Sequence, residues 1–416
     1  MDVSTAFLNG TVDSTIYMSQ PIGFQNGDNK ICLLNKSLYG LKQAARIWYI
    51  TLSEKLKEYG LKKSQNEPCL FYNNNIFVLV YVDDILITGT NTKVKHLQQY
   101  LNSQFKMKDL GNLNYYLNIH FDYINEDQIL MHQEQYIKKL LNDYGMFDCN
   151  SVTTPIVNGD NEDSEEIDKT KYEEILGKLN YISRISRPDI AFTISRLYSY
   201  VKKPTKHNWS MIKRLLRYLK GTIKQGIIIS KPSNNNEIKT YTDASFASKN
   251  DLLNNIKSMS GYIIFNNNTP ISWKAKQQKS NALSTMEAEI YAATDGIKET
   301  IWIKRLLQEI YPDIKSNNIP IYIDNQAAIA FLNGNKRPIA TSCHINRNKL
   351  SVDIIDYDSA STESIRRRLY IKEDLIDKDK IKLNRVSTND NVADVFTKIQ
   401  TKDKFLHFKK LIMPGE

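Results

Sequence analysis

The chain reads as a mixed α/β protein of several domains: an α+β segment, a helical segment, and a last α/β segment in which strands and helices alternate. Three observations predict this. The 416 residues are enough for two or three separate cores. Apolar, β-branched runs of strand length alternate with amphipathic stretches of helical period. Two polar stretches, "SVTTPIVNGDNEDSEEIDKT" at 151–170 and "SKPSNNNE" at 230–237, read as linkers. The predicted domains are therefore 1–150, 151–237 and 238–416.

The elements follow in order. The chain opens on "MDV", which looks like a strand. "ARIWYITLSEKLKEYG" is an amphipathic helix that stops at Gly60, the residue type that tolerates the left-handed position after a helix. "IFVLVYVDDILITG", residues 76–89, reads as two core strands with Asp83 and Asp84 side by side between them. Adjacent carboxylates there repel and lose solvation. Either they sit on a hairpin tip in water or they hold a divalent cation, and the two readings are compatible. A helix is predicted near 91–105.

In the middle segment, "YEEILGKLNYISRI" puts Ile175, Leu176, Leu179 and Ile182 on one stripe. "NWSMIKRLLRYLKG" does the same with Ile212, Leu215, Leu216 and Leu219, while Lys213, Arg217 and Lys220 line another face, either solvated or set against phosphates. The last segment alternates: strand "IKTYTDASF", hairpin "GYIIFNNNTPISWKAK", a long helix near 285–310, strand "IPIYID", helix "NQAAIAFLNG", strand "KIKLNRV" and a final helix. With its own strands and helices, 238–416 is expected to fold alone.

A net charge of +10 points to an anionic partner. Four cysteines, Cys32, Cys69, Cys149 and Cys343, stand far apart without a CxxC pair, which suggests reduced thiols in an intracellular protein. No apolar run reaches membrane-spanning length and the start lacks a signal-peptide layout.

"MDVSTAFLNG…IYMSQPIGF…LLNKSLYGLKQAARIWY…VYVDD" and "ILGKLNYISRISRPDIAFTISRL" resemble the reverse transcriptase of copia-type LTR retrotransposons. "YTDASFA…STMEAEIYAA…YIDNQAAIA…NVADVFTK" resembles the RNase H domain that follows it in the same Pol polyprotein. The series runs in the family's order over nearly the whole chain. The resemblance implies a polymerase palm, a helical thumb and an α/β RNase H-like domain. It implies RNA-directed DNA polymerase and ribonuclease H activities, with RNA template, DNA primer, RNA–DNA hybrid and deoxynucleoside triphosphates as partners. A cytoplasmic (virus-like particle) or nuclear setting follows from the same likeness, and the oligomeric state is left open.

The resemblance also assigns residues. Asp2, Asp83 and Asp84 are the implied palm carboxylates, holding two Mg²⁺, with Mn²⁺ as an alternative. Phe7 stands where an aromatic ring would exclude a ribose 2′-OH, or it is a core aromatic. Lys42 is a candidate phosphate or template contact, beside Ala45 where most of the family has Pro. Gly177 and Tyr181 match a thumb helix that tracks the primer–template minor groove, or they simply pack. Asp243, Asp324 and Asp394 are three implied nuclease carboxylates, again with two Mg²⁺. The fourth is Glu287 or Glu289. Ser284 followed by Glu287 is a capping-box pattern, whereas Glu289 precedes "IYAA" and the small residues Ala292, Ala293 and Gly296, so Glu289 is preferred. His344 matches a family histidine suited to product release.

Two departures stand out. The family's polymerase begins upstream of "MDV", so the chain reads as truncated at the N-terminus and weak in DNA synthesis. Asp324 and Asp394 lie 70 residues apart, more than the family pattern, which marks 346–365 as an insertion. A catalytically inactive relic, or a co-opted hybrid-binding protein, is the alternative reading.

Overall fold

The computed structural model describes residues 1–25, 30–157, 165–231, 237–247, 257–312, 318–333, 376 and 381–414. Cys343, His344 and the 346–365 stretch lie outside the described residues. The chain forms two compact units, Met1–Tyr116 with Arg305–Asp313, and Leu117–Lys304 with Ile314–Glu416.

In the first unit the strands are β1 (Asp2–Val3), β2 (Tyr17–Ser19), β3 (Ile31–Leu33), β4 (Lys62–Lys63), β5 (Leu70–Asn73), β6 (Ile76–Tyr81), β7 (Asp84–Gly89), β8 (Met107–Lys108) and β9 (Tyr115–Tyr116). Six of them form an antiparallel sheet in the order β4-β5-β6-β7-β1-β8. Helices α1 (Ala44–Glu58) and α2 (Asn91–Gln104) bury Trp48, Leu52, Leu56, Leu97 and Leu101 in one core with Val3, Phe71, Val78 and Ile85. Helix α1 ends as expected, with Gly60 at φ 97°. Strand β6 is not buried on both faces: Ile76, Val78 and Val80 are buried, while Leu79 and Tyr81 are exposed. Period-2 alternation puts Phe77, Leu79 and Tyr81 on that side, where only Phe77 is covered in part, its ring 5.9 Å from Tyr311.

In the second unit, β10 (Ile119–Asn125), β11 (Gln128–His132) and β12 (Gly226–Ser230) pair antiparallel. Helices α3 (Glu134–Asp143), α4 (Lys169–Ile185), α5 (Ala191–Tyr198) and α6 (Lys206–Gly221) follow β11 in sequence. A second sheet has the order β15-β14-β13-β16-β17, built from β13 (Ile238–Ser245), β14 (Met259–Asn266), β15 (Thr269–Gln277), β16 (Ile319–Ile323) and β17 (Ile381–Arg385). The first three pair antiparallel, and β16 and β17 run parallel to β13. Helix α7 (Thr285–Ile310) lies between β15 and β16 in sequence, α8 (Gln326–Leu332) follows β16, and α9 (Lys402–Ile412) is last.

Three expectations need correcting. The division falls after Tyr116, not near 150, because β10 and β11 pair with β12 and α3 buries Ile137, Leu140 and Leu141 among the middle helices. The stretch 151–170 is no free linker at its start: Thr154, Pro155 and Ile156 are buried. Arg214 Nη2 donates to Thr154 Oγ1 at 2.8 Å and Arg217 Nε donates to the Asn150 carbonyl at 2.7 Å. Polar composition hid this strap because its partners are arginines on a distant helix. Lastly, 238–416 packs part of its apolar surface against the middle helices. Ile263, Phe265, Phe396, Phe405 and Phe408 share one cluster with Ile175, Leu176, Leu179, Ile212 and Leu216. Trp273 Nε1 donates to the Ser183 carbonyl at 2.8 Å. Uncovering five such side chains costs on the order of 10 kcal/mol, about the stability of a whole domain.

A buried ion pair holds the same core. The Arg187 guanidinium donates twice to Asp189, at 2.9 and 2.7 Å, and also to Thr222, with Tyr218 donating its hydroxyl to the same carboxylate. Burial works against the Asp189 charge, but Arg187 and Tyr218 outweigh it and hold the carboxyl below its usual range.

Candidate active sites

The first acidic site is built by strand pairing. Strands β6 and β7 form a hairpin in which Tyr81 pairs with Asp84, leaving Val82 and Asp83 as the two-residue turn. Val82 has φ 56°, an uncommon conformation for a β-branched residue. Trp48 braces it: its buried indole Nε1 donates to the Val82 carbonyl at 2.6 Å. On the other side Asp84 pairs with Asp2 across β1, and the Val3 amide donates to the Asp83 carbonyl at 3.0 Å. The hairpin reading holds: Asp83 lies in the turn, and Asp84, first in β7, pairs with Asp2 of β1. All three are half-buried. Burial raises the Asp84 pKa, and the Asp83 and Asp2 charges add to it. The three do not bring an oxygen each within 4.8 Å of one another.

One group of described residues does so: Asp243, Asp324 and Asp394. Asp243 lies in β13 and is 1% exposed. Asp324 follows β16, where the next residue, Asn325, caps α8 by accepting from the Ala328 amide at 3.0 Å. Asp394 is fully buried in a short 3₁₀ turn, Val392–Phe396, capped by Asn391. The Asn391 side chain also donates to the Thr242 carbonyl at 3.0 Å, tying this turn to β13.

Glu289, on α7, is not one of these three but lies near enough to feel the Asp243 and Asp324 charges. It is 6% exposed, and its Oε2 has no hydrogen-bond partner among the described residues. The small residues beside it explain the approach: Ala292 and Ala293 are buried, and a Cβ on Gly296 would lie 2.6 Å from Thr242 Cγ2. Glu287 is occupied elsewhere. Its amide donates to Ser284 Oγ at 3.1 Å, and its carboxylate accepts from the Leu283 amide and the Tyr291 hydroxyl, both at 2.7 Å.

Charge governs this second site. Burial, with Asp394 and Asp324 adding to it, raises Asp243 to about 7 despite the opposing Lys398. Burial, then the Asp243 and Asp324 charges, raises Glu289 to about 9. Two lysines offset part of the repulsion, a feature that sequence reasoning missed. Lys398 Nζ lies 2.8 Å from Asp394 Oδ1 and 3.9 Å from Asp243 Oδ2, and Lys404 Nζ lies 2.7 Å from Asp394 Oδ2. Burial works against the Lys398 charge, but the Asp243 and Asp394 carboxylates raise its pKa overall. The Asp394–Lys398 spacing of four residues on a helical turn was the signal available. Thr397 Oγ1 donates to Asp243, and Thr388 Oγ1 donates to Asp324 at 3.2 Å. Hard, buried, mutually repelling carboxylate oxygens, one of them without a partner, suit a hard divalent cation.

The remaining expected residues are scattered. Phe7 is half-buried, its ring 4.4 Å from that of Tyr39 and packed against the first unit's core. Lys42 is exposed just before α1. Gly177 is exposed on α4, and a Cβ added there would meet nothing within 4 Å, so packing does not require glycine. Tyr181 does pack: its hydroxyl donates to the Leu117 carbonyl and its ring meets Tyr136 at 5.3 Å. On α6, Lys213 is exposed, Arg217 is engaged with Asn150, and Lys220 sits 4.1 Å over the Phe147 ring.

Residues 1–158 match the family described as reverse transcriptase (RNA-dependent DNA polymerase), in keeping with the mixed α/β, polymerase-like build of this region. The chain is 34% identical, over 99% of its length, to the retrovirus-related Pol polyprotein from transposon TNT 1-94 of Nicotiana tabacum, covering 30% of that protein. It is 33% identical, again over 99% of its length, to the retrovirus-related Pol polyprotein from transposon RE2 of Arabidopsis thaliana, covering 27% of it. An uncharacterized mitochondrial protein of Arabidopsis thaliana, AtMg00810, is 33% identical over 55% of this chain and 94% of its own length. The chain thus spans less than a third of the two polyproteins.

Proposed function

The chain belongs to the retrovirus-related Pol polyproteins of copia-type LTR retrotransposons, and from that premise we propose that it carries two activities on nucleic acid. The first is RNA-directed DNA synthesis at Asp2, Asp83 and Asp84. The second is hydrolysis of the RNA strand of an RNA–DNA hybrid at Asp243, Glu289, Asp324 and Asp394, in an RNase H-like domain. The observation that supports the reading is the meeting of three carboxylates, Asp243, Asp324 and Asp394, with the buried Glu289 near enough to feel the Asp243 and Asp324 charges. Burying such a cluster without a use for it would be costly.

In the hydrolytic site, Asp243, Glu289, Asp324 and Asp394 would hold Mg²⁺ or Mn²⁺. Bound there, the ion supplies a water nucleophile at neutral pH and neutralises charge developing on the phosphate. The protein's own residues do the positioning. Thr397 orients Asp243, Thr388 orients Asp324, and Lys398 and Lys404 hold Asp394. In the synthetic site, Trp48 and the β1 pairing fix the turn that carries Asp83 and Asp84. Phe7 would face the sugar of an incoming deoxynucleoside triphosphate, Lys42 its phosphates or the template, and Gly177, Tyr181, Lys213 and Arg217 the primer–template.

Separation of function tests the pair. With the intact chain and Mg²⁺, Asp84→Asn should abolish primer extension on an RNA template and spare hybrid cleavage. Asp324→Asn should do the reverse. Loss of both activities in either variant would contradict two separate sites. A folded wild-type chain that neither extends nor cleaves would favour the inactive, hybrid-binding alternative.

A further inference from the structure

Two carboxylate oxygens of the second acidic site, Glu289 Oε2 and Asp394 Oδ1, are buried without a hydrogen-bond partner among the described residues. A buried acceptor left in that condition is destabilising, so each oxygen calls for an occupant.

The two lysines treat Asp394 differently. Lys404 Nζ donates a hydrogen bond to Asp394 Oδ2 at 2.7 Å. Lys398 Nζ comes as close to the other oxygen, 2.8 Å, but as an ion pair without a directed hydrogen bond. It also lies 3.9 Å from Asp243 Oδ2, so its charge sits between two of the three carboxylates that meet here. A contact held by charge alone yields to a stronger charge more readily than one held by direction as well. The setting of the two side chains points the same way. Lys404 lies in the first turn of α9, its ammonium 5.3 Å from the centre of the Phe408 ring one turn further on. Lys398 follows the 3₁₀ turn, outside any helix or strand, with its side chain 38% exposed, so it can move without disturbing an element.

Lys398 and a divalent cation cannot share Asp394 Oδ1 without repulsion. Mg²⁺ takes its oxygens at about 2.1 Å. With Lys398 kept 2.8 Å from the same oxygen, the two positive centres lie no more than about 5 Å apart.

We infer that Lys398 is a placeholder for the cation: it leaves Asp394 Oδ1 when a divalent ion binds there, whereas Lys404 stays on Oδ2 and fixes the orientation of the carboxylate. The two lysines are positioning residues of opposite effect, one competing with the ion and one presenting its ligand. The inference rests on the reading of the Asp243 cluster as a cation site.

Mn²⁺ binding to the intact chain without substrate, followed by the electron paramagnetic resonance of the free ion, tests this. The ion scored is the one whose binding Asp324→Asn removes. Lys398→Met should bind it at least ~10-fold more tightly than wild type, because a competing charge is gone, and Lys398→Arg should stay within about 3-fold of wild type. Lys404→Met removes a charge as close to Asp394 but should gain less than about 3-fold, because the ligand oxygen is no longer held in place. Equal gains in Lys398→Met and Lys404→Met would overturn the proposal in favour of general charge, and so would an unchanged affinity in Lys398→Met. The wild-type chain gives a second measure that no substitution can disturb. Acylation of Lys398 by an amine-reactive ester, read by mass spectrometry, should rise at least ~3-fold on adding saturating Mg²⁺ while that of Lys404 changes little, since the ion shifts Lys398 to its released position. Labelling of Lys398 that is indifferent to Mg²⁺ would also overturn the proposal. The two ideas fail apart. Mn²⁺ bound equally by wild type and Lys398→Met removes the placeholder and keeps the cation site. If Asp324→Asn removes no bound ion, the cation site falls and the placeholder with it.

Discussion

Glu287 and Glu289 stand two residues apart on α7 and have unlike surroundings, one satisfied at the helix start and one buried among carboxylates. Glu289→Gln should therefore abolish hybrid cleavage. Glu287→Gln should leave cleavage nearly intact and lower stability by about 1 kcal/mol, the usual value of a cap; the reverse pattern in a paired cleavage and urea-melt assay would reassign the glutamate. A pH effect follows from the same cluster. Asp243 at about 7 and Glu289 at about 9 both titrate above their unfolded values, so the folded protein in chelator binds the extra protons. That contribution to stability is complete below the unfolded pKa values, near pH 4, and is lost as pH rises through the folded ones. The difference in melting temperature between Glu289→Gln and wild type, measured in chelator, should be small near pH 5 and grow in the variant's favour towards about pH 9. A difference constant with pH would show that Glu289 is not held protonated.

Elements with strong periodicity were legible before the structure. The stripes of α4 and α6, the stop of α1 at Gly60 and the full span of α7 follow from apolar spacing and capping residues. The hairpin was legible as a hairpin, but not its support. The Trp48 bond to Val82 joins residues 34 apart in sequence, and no local pattern encodes it. Trp48→Phe keeps much of the buried ring and removes the donor. It should cost about 1 kcal/mol, because a part-buried hydrogen bond that braces the left-handed turn is lost, and should slow primer extension more than it slows hybrid cleavage. Equal slowing of both would point to global destabilisation. The acidic pair at the tip was read from composition, whereas the lysines around Asp394 were not, since Lys398 and Lys404 resemble ordinary surface residues until Asp394 is found buried beside them.

Across the molecule, the part hardest to read was which segments share a core. Linker-like composition at 151–170 and 230–237 suggested an independent C-terminal domain, yet one apolar cluster joins α4 and α6 to β14, the Asp394 turn and α9. Apolar residues on a helix stripe announce that a partner exists without saying which one. A fragment of residues 238–416 should therefore bind dye on its uncovered apolar surface and melt well below the intact chain. A fragment that melts at the intact chain's temperature would show the shared cluster to be dispensable. Within the same unit Asp189→Asn would leave Arg187 buried without its counter-charge, at a cost of roughly 3–5 kcal/mol by urea denaturation. The convergence of Asp243, Glu289, Asp324 and Asp394 is the central claim, and cleavage of the RNA strand of an end-labelled hybrid by the intact chain tests it most directly. With saturating Mg²⁺, Asp243→Asn should cut at least ~100-fold more slowly than wild type while binding the hybrid as well. Cleavage by Asp243→Asn at the wild-type rate would contradict it.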